Sequence, residues 1–414
     1  MSRIDRDKAS VWHPYTQMKT APSPLSIVRG QGVYLYTDDD RKLLDGISSW
    51  WVNIHGHAHP RLNQALYEQS KKLEQVIFAG ATHEPAVELA ERLVGILPAG
   101  LTKIFYSDNG STAVEVAIKM ALQYWQNVGR PERQRIVALR HAYHGDTIGT
   151  MSVSDESVFT AAFASLLFPV DRIEPSQIEE HLRAHGDRVA AVIVEPMLQG
   201  AGGMIMWPAD ALAQIRASCY RHNVLLIADE VLTGFGRTGR MFACEHAAVT
   251  PDILCMSKAL TGGYMAFAAT AATNAVYDAF LSDDRMKTLF HGHSFTANPL
   301  ACAVSLASLD LIEETRALER VQRLEQQMRD GLTPLAQFPS VADVRVLGGV
   351  GVVELKSGGG YLDDVGPRLY RTFLERGVLL RPLGNVLYFM PPYVITDAEV
   401  DWVIQQIREV VTSQ

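Results

Sequence analysis

Cysteine is scarce in this chain. Four occur among 414 residues, Cys219, Cys244, Cys255 and Cys302, and no two are spaced as CxxC. Each lies in an apolar or helical setting, so a disulfide framework and a cysteine zinc site are excluded and a reducing compartment is expected. Blocks of basic residues are also missing. The net charge is −8, and an acidic chain without a basic patch is not expected to take nucleic acid as its partner. No apolar run approaches the roughly 18 residues of a membrane span, so no membrane partner is expected either. The opening stretch, MSRIDRDKASVWHPY, mixes acids and bases without an apolar core, and a signal peptide is not expected. Repeats and low-complexity tracts are absent. The expectation is a soluble, cytoplasmic protein.

With 47% hydrophobic residues, the chain is long enough for a large core and more than one domain. GVYLYTDDDRKLLDG (32–46) has alternating apolar residues on each side of an acidic turn and reads as a hairpin. Helices are expected from about Pro60 to Val76, Pro85 to Leu97 and Ala209 to His222, and over STAVEVAIKMALQYW (111–125), whose apolar residues recur at helical spacing. Short apolar strands are expected over 102–107, 135–140, 189–196, 224–230 and 252–257. Strands of this kind, separated by helices, indicate a largely parallel sheet covered on both faces, in an α/β domain. After Pro299 the pattern changes. A long helical region to about Ala336 leads into a smaller α+β unit, joined by the N-terminal segment. The expected division is an N-terminal segment over 1–50, a large domain over 51–305 and a small domain over 306–414.

The chemistry gathers at strand ends, where open α/β sheets bind ligands. PDILCMSKALTGG (251–263) puts Lys258 at the end of a buried apolar run, where an ammonium is costly to desolvate. Such a lysine either snorkels to solvent or has its pKa lowered by burial and becomes a nucleophile for an aldehyde. IFYSDNGST ends another strand with Gly110 and Ser111 at a helix start. Gly110 allows close backbone approach, and Ser111 can cap the helix or help seat a phosphate on its N-terminus. VLLIADE ends on Asp229 and Glu230. A carboxylate there forms a structural salt bridge, binds a metal, or holds a proton on a heterocyclic nitrogen. RHAYHGDT (140–147) offers Tyr143 in a loop, either as a surface residue or as a face that stacks on a planar ring. A phosphate seat, a carboxylate, a ring-stacking aromatic and a lysine together are what pyridoxal phosphate requires, and the set is far more specific than any member.

Two stretches imitate other sites. GFGRTG (234–239) matches GxGxxG, but it follows the acidic end of a strand and opens no long helix. A flexible loop near the active site is expected there, not a dinucleotide site. HGHAHP (55–60) has three alternate histidines with no cysteine or carboxylate spaced to complete a metal site, and no metal is expected.

LLIADEVLTGFGRTGRMFACEH followed by PDILCMSKALTGG closely resembles the signature of the fold-type I, class III pyridoxal-phosphate aminotransferases, and the resemblance covers essentially the whole chain. WHPYTQM (12–18), DGISSWWVNIHGHAHP (45–60), YHGDTIGTMSV (143–153) and GVLLRPLGNVLYFMPPY (377–393) narrow it to the branch serving biotin synthesis. The resemblance implies transfer of an amino group to 8-amino-7-oxononanoate from S-adenosylmethionine, in a homodimer with shared active sites. It implies that Lys258 is the Schiff-base lysine and that Asp229 partners the pyridine nitrogen. Gly110 and Ser111 would bind phosphate and Tyr143 would stack on the ring. Tyr15, which would also count among the catalytic groups, and Trp50 would line the substrate pocket, and Arg381 would meet a substrate carboxylate. Gly292, His293 and Ser294, in FHGHSF, would reach the neighbouring subunit's site. Here the chain departs from the family, which has proline and threonine where His293 and Ser294 stand. No acidic residue in these stretches marks a seat for the ε-ammonium of lysine, the donor used by some relatives, and S-adenosylmethionine is therefore the expected donor.

Overall fold

The computed structural model describes residues 1–358 and 360–413. Gly359 and Gln414, both inside the expected 306–414 unit, lie outside the described residues.

Seven strands form the central sheet, in the order Leu101–Ser107, Ala268–Thr273, Ile253–Met256, Leu225–Asp229, Val189–Val194, Arg135–Leu139 and Asp171–Ile173. Only Ala268–Thr273 runs antiparallel to its neighbours. Every residue of Val189–Val194, Leu225–Asp229 and Ile253–Met256 is buried, as expected for strands covered on both faces. The two faces feed two cores. Val192, Val194, Leu226 and Ala228 pack with Leu89, Leu93, Leu212 and Ile215. Ala191, Ile193, Leu225 and Ile227 pack on the other side against Ala113, Ala117, Ala121 and Trp125 of the helix Gly110–Asn127. This is the twofold alternation of a strand, read out as two hydrophobic layers.

The expected helices and strands appear with small differences in extent. The helix expected over 60–76 ends at Ser70, and the long region after Pro299 is two helices, Pro299–Glu314 and Ala317–Leu332, broken where Arg316 turns to φ +51°. The expected 32–46 hairpin pairs Tyr34–Thr37 with Lys42–Asp45, and Ile27–Gln31 extends it. Its far edge takes Val378–Leu379 in parallel, so residues from both ends of the chain share one sheet. A separate antiparallel sheet, Val341–Leu347, Val350–Leu355 and Val386–Phe389, packs with Leu324 and Met328 of one helix and with Val400, Val403 and Ile407 of the helix Asp397–Thr412.

Because the other six strands of the central sheet point the same way, their carboxyl ends gather at one edge. Ser107, Leu139, Val194, Asp229 and Met256 are the last residues of five of them.

Candidate active site

A cavity of about 600 Å³ opens at that edge. Its floor carries Lys258, two residues beyond the end of Ile253–Met256, in a backbone conformation with φ +43°. Lys258 is partly exposed on the cavity wall, and its ammonium lies 4.4 Å from the centre of the Trp51 ring. Burial pushes its pKa down to about 8, while Asp229 and Glu195 act to raise it and the Arg237 cation adds a smaller push downward. A lysine poised near neutrality in this way supplies an unprotonated amine without leaving the protein interior.

Asp229 ends the adjacent strand. Its Oδ2 stands 2.7 Å from His144 Nδ1, and its Oδ1 accepts from the Val231 amide at 3.1 Å. Both side chains are almost completely buried, and His144 Nε2 has no hydrogen-bond partner among the described residues. Glu195, a residue that sequence reasoning did not single out, follows the end of a third strand and also faces the cavity. It accepts the amides of Tyr143 (2.9 Å) and Gly200 (3.0 Å), and burial raises its pKa to about 7. The signal for Glu195 is the same as for Asp229, a carboxylate closing an apolar strand. Glu230 points away instead, accepting from Thr233 and from the amides of Ala243 and Cys244.

The helix Gly110–Asn127 begins at the cavity wall. Its cap is Asn109, not Ser111. The Asn109 side chain accepts from the Thr112 amide, and the Thr112 hydroxyl accepts from Asn109 N. The Gly110 and Ser111 amides and the Ser111 hydroxyl have no acceptor among the described residues and border the cavity at the positive end of the helix, a place suited to an anion. Two glycines make the approach close. A Cβ on Gly110 would come within 2.6 Å of Val231 Cγ1, and one on Gly145, at φ +129°, within 2.1 Å of Ser111 Oγ.

Tyr143 is half-buried in the cavity wall, where the sequence suggested an exposed loop aromatic. Its hydroxyl lies 3.2 Å from that of Tyr15, which also donates to Asp146. Asp146, in a stretch where no acidic residue is expected to mark a seat for a lysine ε-ammonium, lines the cavity beside Tyr143. The Tyr15 and Trp50 rings meet at a tilt of 58° with centres 5.4 Å apart, and the Arg381 guanidinium lies 4.7 Å from the centre of the Trp50 ring. Tyr15, Trp50 and Arg381 thus form a rim above the cavity, while Trp51 lines it.

The two indoles sit on an unusual segment. Ser48, Ser49, Trp50 and Trp51 have φ of 48°, 44°, 75° and 72°, a left-handed turn closed by Trp51 N to Ile47 O (2.8 Å) and Val52 N to Ser48 O (3.0 Å). For residues other than glycine such a conformation costs about 1–2 kcal/mol each, so the surrounding bonds must hold it.

Gly292, His293 and Ser294 do not line this chain's cavity. His293 Nδ1 is 3.8 Å from Asp108, just before the helix start at Asn109–Ser111, and neither it nor Asp108 Oδ1 has a hydrogen bond among the described residues. The GFGRTG segment is not a loose loop. Residues 234–239 are all buried, and Arg237 donates to Pro391 O at 3.0 Å. In the 55–60 segment, His55 pairs with Ser308 and His57 with Asp45.

A nucleophilic amine, a carboxylate–imidazole pair and an anion-facing helix start around one cavity define a site for a phosphorylated aldehyde, and they fit pyridoxal phosphate. Residues 15–411 match the family described as aminotransferase class-III. The chain belongs to that family. It is 50% identical to the adenosylmethionine-8-amino-7-oxononanoate aminotransferase of Synechococcus elongatus, over 96% of this chain and 97% of that one. The crystal structure of the enzyme of that name from Methanocaldococcus jannaschii superposes with a TM-score of 0.95 at 36% identity, covering 99% of this chain and 98% of the other. An amine transaminase from an uncultivated Pseudomonas species, solved in its PLP-bound form, gives 0.92 at 33% identity, with 97% and 98% covered.

Proposed function

We propose that this protein converts 8-amino-7-oxononanoate to 7,8-diaminononanoate in biotin biosynthesis, taking the amino group from S-adenosylmethionine. The observation that carries the transaminase chemistry is Lys258, an amine with its pKa brought to about 8 on the wall of a cavity that also holds the Asp229–His144 pair. The choice of substrates is supported by relatives of one name at 50% and 43% identity over nearly the whole chain.

Pyridoxal phosphate, when bound, supplies an aldehyde that carries the amino group and a ring that takes up the electron pair freed at the donor carbon. The rest is the work of this chain. The Gly110 and Ser111 amides and the Ser111 hydroxyl would hold the phosphate. Asp229, oriented by His144 Nδ1, would keep a proton on the ring nitrogen. Tyr143, its amide fixed by Glu195, would stack on the ring. Lys258 Nζ takes the proton from the amine-bearing carbon of the donor and later delivers one to the former keto carbon of the acceptor. Trp51, Val231 and Leu232 keep water from these steps. At the rim, Arg381 pairs with the substrate carboxylate and Trp50 and Tyr15 pack on its methylenes or on a sulfonium.

The same proposal makes the protein a cytoplasmic homodimer with shared sites. Exposed Phe290 and Phe295 flank the 292–294 segment, and the unpaired His293 and Asp108 atoms beside them support its meeting a second copy. The division into 1–50, 51–305 and 306–414 is likewise proposed, supported by the sheet that joins Leu44 to Val378. Lysine as donor is the second reading, favoured by Asp146 at the cavity wall. Product analysis with 8-amino-7-oxononanoate and each donor in turn tests both.

A further inference from the structure

Beneath the left-handed Ser48–Trp51 turn lies a polar cluster with no part in the chemistry above. The Asp45 side chain, fully buried, uses both oxygens on the turn and its support. Oδ1 accepts the Ile47 amide at 3.2 Å and the Ser49 amide at 3.0 Å, and Oδ2 accepts the Ser49 hydroxyl at 2.7 Å. Oδ2 also lies 2.9 Å from His57 Nε2. The other ring nitrogen, Nδ1, lies 3.2 Å from Asn53 Nδ2, an amide that donates, so the ring keeps its proton on Nε2 and gives it to Asp45. Space is cut for the ring, since a Cβ on Gly30 would come within 2.6 Å of His57 Cβ. A second support comes from the far side. Ser48 Oγ donates to Met390 O at 2.8 Å and accepts from the buried guanidinium of Arg237 at 3.4 Å.

The turn these groups hold aims two indoles in different directions. Trp50 goes to Arg381 and Tyr15 at the rim, and Trp51 to Lys258 at the floor, where its Nε1 donates to Tyr388 at 3.0 Å. Four consecutive non-glycine residues in this conformation do not persist without fixed partners, and Asp45 supplies three of those bonds. We infer that Asp45 and His57 are positioning residues of the substrate pocket: the His57–Asp45 pair locks the left-handed Ser48–Trp51 turn and so sets where the Trp50 and Trp51 rings stand. His57 acts only through Asp45, and Asp45 only through the backbone and Ser49. Neither lines the cavity.

The substrate arm of the test rests on the proposed function, and a spectroscopic arm does not. The variants are His57→Ala, Asp45→Asn and His57→Gln, the last placing an amide N–H near the position of Nε2. Each is compared with wild type by near-ultraviolet circular dichroism, which reads the fixed asymmetry of tryptophan rings, and by KM and kcat for 8-amino-7-oxononanoate in the cofactor-saturated dimer. We expect His57→Ala and Asp45→Asn to lose part of the tryptophan signal at unchanged far-ultraviolet signal. Their KM should rise about tenfold or more, with a smaller change in kcat, and His57→Gln should return KM to within about threefold of wild type. A purely structural role would lower the melting temperature and leave both the tryptophan signal and KM of the folded enzyme at wild-type values. That result overturns the proposal. Should His57→Ala not fold, Asp45→Asn and His57→Gln, close in size to what they replace, decide the same question. Wild-type protein that does not accept 8-amino-7-oxononanoate would refute the proposed substrate alone, and the dichroism arm would still decide the positioning role.

Discussion

His144 Nδ1 and Asp229 Oδ2 meet at 2.7 Å beneath the cavity, with the imidazole shut away from solvent. Asp229 closes a strand and His144 sits in the loop after another, so the pair joins two strand ends across Val189–Val194, which lies between them. If this carboxylate holds a proton on a bound ring, Asp229→Asn, nearly isosteric but uncharged, should still bind pyridoxal phosphate. Its kcat should fall about 10²–10³-fold or more, in line with losing one strong electrostatic partner. Rapid-quench turnover of the variant checks this, and near-normal kcat would mean that another group serves the ring.

Lys258→Ala should fold and lose essentially all turnover, since no second lysine lines the cavity among the described residues. The pH dependence has a definite sign. In the cofactor-free protein Lys258 gives up its proton near pH 8, against an ordinary 10.5. Between these values the unfolded chain binds more protons than the folded one, so this group's destabilising effect is full below about 8 and disappears as pH rises to 10.5. Capture of pyridoxal phosphate, followed by its visible absorbance, should accelerate with pH up to about 8 and then level off. Lys258→Met should remove this group's share of the stability slope between about pH 8 and 10.5 in denaturant titrations of the cofactor-free protein.

Glu195 has the opposite sign. Burial raises its pKa from 4.5 to about 7, so the folded state holds the extra proton and its contribution is greatest below 4.5 and lost as pH rises through 7. Glu195→Gln should remove that loss. Because Glu195 raises the Lys258 pKa, the same variant should move the midpoint for cofactor capture to lower pH, and an unmoved midpoint would contradict their coupling.

Shared sites can be tested by mixing. Lys258→Ala and a Ser294 variant defective in phosphate binding are each inactive if Ser294 serves the other subunit. Hybrid dimers of the two contain one site with both defects and one with neither, so activity should reappear on mixing. No recovery, or a fully active monomer, would contradict sharing.

Much of this site is legible in the sequence, because its chemistry hangs on strand ends and apolar runs announce strands. Lys258, Asp229 and Gly110 are visible in this way, and the cavity brings all three together. The strand Ala268–Thr273 gives no such signal. AATAAT has no β-branched apolar run, and its identity as a strand comes from two flanking partners. Serine suits a helix cap, which makes Ser111 a candidate, yet Asn109 takes the role by a reciprocal bond with Thr112. The left-handed turn at Ser48–Trp51 leaves no mark that residue preferences could show. Serine and tryptophan do not favour positive φ, and the conformation is imposed by Asp45, His57 and Met390, the last remote in sequence. Asp146 is silent in the sequence because its importance depends on Tyr15, far along the chain.

The central claim is best tested by giving the cofactor-loaded protein one donor at a time, then 8-amino-7-oxononanoate, and identifying the product by mass. S-adenosylmethionine alone should bleach the visible band of the bound cofactor, and the subsequent keto substrate should restore it with release of 7,8-diaminononanoate. Bleaching by lysine and not by S-adenosylmethionine would replace the donor and bring Asp146 forward as its seat. Failure of 8-amino-7-oxononanoate to restore the band after any donor would contradict the proposed function itself.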